Sequence, residues 1–184
     1  MVKKIGYYFA LEVKKKVSNA KYISVGYDAR IHSPQLSQWL ISGINYAGLE
    51  VLSMGLVPTP VNYFSNFTEF NSKTTSASIM ITGSHNPPEY NGFKITIDKS
   101  PFFGNDIYTL GDTVLSNDIV IPNNIASIDI NAKEQYIDYL VNEFKDLNIS
   151  NHSFVFDCGN GAAGAVLGDI LKRLNINSKI MYEE

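Results

Sequence analysis

Residues 81–94 read Ile-Thr-Gly-Ser-His-Asn-Pro-Pro-Glu-Tyr-Asn-Gly-Phe-Lys, and this segment constrains the fold more than any other. The short, mostly apolar run Ser78-Ile79-Met80-Ile81 enters it as a strand, and Gly92-Phe93-Lys94-Ile95-Thr96-Ile97 leaves it with the alternation of a second strand. Between them Pro87 and Pro88 have no N–H to donate and a fixed φ, so the connection cannot wind into a helix. It must be a hairpin-like excursion between two sheet strands, stiff just after Ser84. A hydroxyl (Ser84), an imidazole (His85), a carboxamide (Asn86) and a cation (Lys94) are thereby gathered in one loop and its exit strand.

The elements leading up to this loop alternate. Residues 1–17 carry an apolar stretch interrupted by Glu12 and followed by Lys14 to Lys16, with no small-residue cleavage site, which predicts an amphipathic helix rather than a signal peptide. Tyr22 to Tyr27 reads as a strand. Ser33-Pro34 reads as an N-cap followed by a first-turn proline, opening a helix that runs to Ala47 and stops at Gly48. Leu36, Trp39, Leu40, Gly43 and Ile44 share one face of that helix, which places Trp39 in the core. A strand over Glu50 to Ser53, a helix from Pro58 to about Phe67 and a strand over Ser76 to Ile81 complete a βαβαβ alternation, the pattern of a layered α/β domain.

Beyond the loop, a helix is expected from Asp106 to Leu115. Residues 118–131, with Pro122, Asn123 and Asn124 at their centre, are poor in helix formers and read as a linker between a first domain (1–117) and the start of a second (132–184). The second part predicts a helix from Ala132 to Leu147 with Tyr136, Leu140 and Phe144 on one face. A strand Phe154 to Asp157, a glycine turn, a helix to Leu174 and a strand Ser178 to Tyr182 follow. The net charge of −3, from 15 basic and 18 acidic residues without a Lys/Arg block, argues against a nucleic-acid partner. Nothing in the composition demands a membrane. Cys158 is the sole cysteine, so no internal disulfide can form, and a reducing, cytoplasmic location is expected.

The loop's residue set suits phosphate. Acyl transfer would need a base oriented by an acid, and a histidine adjacent in sequence to the serine usually points elsewhere. Phosphoryl transfer needs mainly positioning and positive charge. The plain alternative is a turn serine bonded to its own backbone.

Thr82-Gly83-Ser84-His85-Asn86-Pro87 followed by Asn91-Gly92-Phe93-Lys94 resembles the phosphoserine loop of the α-D-phosphohexomutases, in their phosphomannomutase/phosphoglucomutase branch. Val25 to Arg30, Gly55 to Pro60 and Asp157 to Gly164 resemble further segments of that family in order and spacing. The resemblance implies a three-layer α/β/α first domain followed by the opening βαβ unit of a second, similar domain. It also implies that Ser84 is phosphorylated, that its phosphoryl group helps bind Mg²⁺, and that this group passes to a hexose phosphate through a hexose 1,6-bisphosphate. His85 and Lys94 would serve proton transfer and charge stabilisation. Asn86 would position the loop, and Arg30 would lie nearby, where it could also simply pair with Asp28.

The family's usual first strand, aromatic-Arg-x-Tyr-Asp-Ile-Arg-Gly, has no counterpart in this chain, nor do its acidic metal loop, sugar loop and later phosphate loop. The expectation is therefore a fragment without turnover of its own, with an exposed sheet edge open to self-association. A competing reading comes from Gly159-Asn160-Gly161-Ala162-Ala163-Gly164 with Glu183 downstream, which fits a dinucleotide-binding fingerprint of an oxidoreductase. A non-catalytic phosphosugar-binding module is a third.

Overall fold

A computed structural model describes residues 1–149 and 151–183. Three parallel strands form the centre of its main sheet: β1 (Tyr22–Tyr27), β2 (Glu50–Leu56) and β3 (Ala77–Ile81). β4 (Phe93–Ile97) runs antiparallel to β3, the short β5 (Ser100–Pro101) antiparallel to β4, and β6 (Ile128–Asp129) parallel to β2. The order across the sheet is β5-β4-β3-β1-β2-β6.

Strand alternation divides the side chains between two cores. On one face Val51, Ile79, Ile81, Ile95 and Ile97 pack with α1 (Val2–Lys16), α2 (Ser33–Tyr46) and α4 (Asn105–Ser116) through Phe9, Val13, Leu40, Ile44, Leu110 and Val114. On the other, Leu52, Met54 and Met80 pack with α3 (Thr59–Phe64), α5 (Ala132–Phe144) and α6 (Gly164–Arg173) through Val61, Ile137 and Val166. The result is the expected three-layer α/β/α arrangement. Each fully buried Leu, Ile or Val contributes about 1.5–3 kcal/mol.

α1 and α2 approach closely because each presents a glycine at the crossing. A Cβ on Gly6 would fall on the carbonyl oxygen of Leu40, and one on Gly43 on that of Lys3. The α3 side is partly polar. Ser24 Oγ lies 2.8 Å from Ser65 Oγ, Asn62 and Asn66 donate to Ser78 Oγ at 3.1 and 3.0 Å, and Ser78 and Thr96 hydroxyls meet at 2.7 Å, all of them buried. These bonds tie α3 and the turn after it to β1, β3 and β4.

Several local expectations change. His32 occupies the N-cap of α2, and Ser33 stands one place inside, buried, because its hydroxyl is used by Asp28. Trp39 is 41 % exposed, since the face turned to the sheet is carried by Leu40, Ile41 and Ile44. On α5 the buried residues are Ala132 and Ile137, while Phe144 is 48 % exposed. β2 extends to Leu56 and α3 ends at Phe64. Within the stretch read as a linker, Ile128 and Asp129 join the sheet opposite Leu52 and Ser53, and Ile121 and Ile130 are buried. Pairing with β2 decides their conformation, which local composition could not show.

A second, two-stranded sheet pairs β7 (Phe154–Asp157) with β8 (Ser178–Met181) in parallel, with α6 between them in sequence. No described helix is long and apolar enough to cross a membrane.

Candidate active site

At the carboxyl end of β1 the chain turns through Asp28, whose N–H still donates to Ile81 O at 3.0 Å and keeps β1 aligned with β3 to its last residue. The Asp28 carboxylate then collects donors. Oδ1 accepts from Ser33 Oγ at 2.7 Å and from Arg30 N at 3.2 Å; Oδ2 accepts from Arg30 Nε at 3.2 Å and from Gly83 N at 3.3 Å. Burial, the largest single influence, pushes its carboxyl pKa up. The hydrogen bonds from Ser33, the Arg30 amide, Thr82 and the Gly83 amide together outweigh it and hold the pKa below the ordinary aspartate value.

Arg30 turns that anchor into a clamp. Nη1 donates to Pro87 O at 2.6 Å and Tyr90 O at 3.1 Å, and Nη2 to Ser84 O at 3.2 Å and Asn86 O at 2.7 Å. All four carbonyls belong to the excursion between β3 and β4. A planar guanidinium with its donors in a fixed fork can gather carbonyls in this way, and lysine cannot. Gly83 is required beneath it, because a Cβ there would run into the guanidinium. Asn91 closes the base of the loop by donating to Ser33 Oγ at 2.8 Å, and Thr82 N donates to Gly92 O at 3.0 Å.

So held, the loop turns at Gly83–Asn86, with Asn86 N donating to Gly83 O at 2.9 Å. Ser84 sits in this turn with φ at 52°, in the left-handed region. For a residue other than glycine that conformation costs about 1–3 kcal/mol and persists only when the surroundings impose it. Here they do: its N–H donates to Thr82 Oγ1 at 2.9 Å and its carbonyl is taken by Arg30. The side chain is exposed.

Ser84 lines a cleft of about 630 Å³, within the usual range for small-molecule sites. Its walls come from the residues after β1 (Asp28 to His32), after β2 (Pro58 to Pro60), after β3 (Thr82, Ser84, Asn86, Pro88) and after β7 (Gly159 to Ala163). Ligands of open α/β sheets bind in such a crevice, outside the carboxyl ends of the strands.

Of the residues singled out from sequence, Ser84, Asn86 and Arg30 line this cleft. His85 is exposed on the loop and does not line it. Lys94 is half-buried on β4 and pairs in register with Met80, which does line it. Asp28, Thr82, Ser33 and Asn91 were not anticipated as site residues. The Asp-x-Arg spacing at the end of a strand was the available signal for the first of them. Among the described residues no group of three or more His, Cys, Asp or Glu could hold a metal ion, and both oxygens of Asp28 already accept hydrogen bonds. These residues do not by themselves fit Mg²⁺, which asks for octahedral oxygen ligation.

The family model for phosphoglucomutase/phosphomannomutase, alpha/beta/alpha domain I, matches residues 1–109. This chain belongs to the phosphoglucomutase/phosphomannomutase family. A phosphomannomutase/phosphoglucomutase of Pseudomonas syringae pv. tomato is 30 % identical over 175 residues, 95 % of this chain and 36 % of that protein. A phosphoglucomutase of Neisseria gonorrhoeae is 32 % identical over 90 % of this chain and 35 % of its own length. The crystal structure of a phosphoglucomutase/phosphomannomutase family protein from Burkholderia thailandensis superposes with a TM-score of 0.87 at 28 % identity, covering 100 % of this chain and 40 % of that one. The chain thus spans little more than a third of the curated relatives it matches.

Nothing in these matches supports the oxidoreductase reading. Within the phosphoglucomutase/phosphomannomutase fold the 159–163 turn forms a wall of the Ser84 cleft, and Glu183 lies against Gly164 and Gly168 of α6.

Proposed function

We propose that Ser84 is the phosphoryl carrier of a phosphohexomutase that interconverts the 6-phosphate and 1-phosphate of mannose or glucose. The observation that carries this reading is the geometry of Ser84: a left-handed serine, fixed through its carbonyl by Arg30, with its exposed side chain on a cleft at the carboxyl ends of parallel strands. Loading of the carrier is a balanced exchange. The Ser84 Oγ–P bond forms as one sugar O–P bond of a hexose 1,6-bisphosphate breaks, and the serine proton ends on the sugar oxygen that leaves. Lys94, whose strand partner Met80 lines the cleft, is assigned to that proton, His85 to neutralising developing charge, and Asn86 to positioning the loop. Mg²⁺ belongs to this reading as the family's expected cofactor. The residues here do not fit it alone.

A cytoplasmic location accords with a single cysteine. Self-association through an exposed sheet edge belongs to the same reading.

Incubation with glucose 1,6-bisphosphate followed by intact-mass measurement tests the carrier role. One added phosphate on the chain, absent in Ser84→Ala, is expected. Phosphate uptake undiminished in Ser84→Ala would overturn it, and saturable binding without uptake would favour a phosphosugar-binding module.

A further inference from the structure

A phosphosugar in this cleft would be strongly anionic, yet the most conspicuous cation of the cleft is already spent. Among its lining residues the ionisable ones are Asp28, Arg30 and His32. Asp28 is an acceptor with its own donors, and Arg30 commits its fork to Asp28 and to four loop carbonyls. A guanidinium so occupied stiffens the loop and has little left to offer a ligand. His32 differs on every count. It stands at the N-cap of α2, where its carbonyl accepts from Leu36 N at 3.1 Å, so its backbone is fixed by the helix. The residue is half-buried and lines the cleft with Ser84, and its side chain makes no hydrogen bond or ion pair among the described residues. An imidazole donates at least one N–H in either protonation state, so it can meet a phosphate oxygen whether neutral or charged.

We propose that His32 is a binding residue of this cleft, donating a hydrogen bond to a phosphate oxygen of the phosphosugar. The inference rests on the reading of the cleft as a phosphosugar site and adds a contact that the serine-loop motif does not contain. It also divides labour between neighbours two residues apart: Arg30 holds the loop, and His32 holds the ligand.

The chain has three histidines, which makes a direct test available: His32 in the cleft, the exposed His85 on the loop, and His152 beside Phe154 of β7. In an NMR titration of the whole chain with glucose 1,6-bisphosphate, the backbone amides of Ser84 and Asn160 and the His32 ring resonances should move together, and those of His152 should stay. His32→Ala should weaken the fitted affinity about tenfold, the usual weight of a hydrogen bond to a charged group. His32→Gln, which keeps a donor, should recover most of it. Unchanged affinity in His32→Ala, with the Ser84 and Asn160 amides still responding, would overturn the role of His32 and leave the site reading standing. A titration in which no amide of the cleft moves would defeat the site reading, and the inference with it.

Discussion

Arg30 makes five side-chain bonds to two targets, Asp28 and the loop, and so ties the Ser84 turn to the end of β1. Arg30→Ala should lower stability by about 2 kcal/mol in chemical denaturation and abolish phosphate uptake by Ser84, and Arg30→Lys should not restore uptake, because one ammonium cannot reach four separated carbonyls. Asp28 adds a pH signature. Its folded pKa is depressed, so its stabilisation is present above the ordinary aspartate value of about 3.9 and is lost as pH falls through the depressed one. Melting temperatures measured from neutral to acidic pH should therefore place Asp28→Asn well below the wild type at neutrality, with the gap narrowing below about pH 4. At this scale the sequence pointed to the serine and its neighbours, since a dense local motif carries them. It did not show that Asn91 bonds Ser33, since the two lie 58 residues apart and meet only after folding.

Elements were readable where one face is strongly apolar and the ends are punctuated. α1, β1, β3 and the β3–β4 excursion all fall where pattern and prolines place them. Misreadings occurred where tertiary pairing overrides local preference, as at β6, or where a large apolar residue borders the buried stripe, as at Trp39 and Phe144. The α1–α2 crossing shows the same limit in reverse, because Gly43 looks like a defect in a helix. Alanine is the better helix former by about 1 kcal/mol, yet Gly43→Ala would press a methyl onto the Lys3 carbonyl. We expect a net loss of about 1–2 kcal/mol in urea unfolding, since overpacking costs about 1–3 kcal/mol and outweighs the propensity gain. A stabilised Gly43→Ala would show that the helices can separate there without penalty.

At the scale of the whole molecule, the layered α/β class and the family were legible, because alternation of elements and a long specific loop survive without any knowledge of contacts. How the 159–163 turn comes to face Ser84 was not, since that depends on packing between segments far apart in the chain. Ile137, Val166 and Met80 belong to one core, and Met80 also lines the cleft. Ile137→Ala should cost about 2–5 kcal/mol in denaturant unfolding, and it should also slow phosphate uptake by Ser84 although no residue of the cleft wall is altered. The gape of the cleft is thus a property of the interior: its two rims ride on helices and strands seated against common apolar side chains, and a change of volume beneath them is felt as a change of span above.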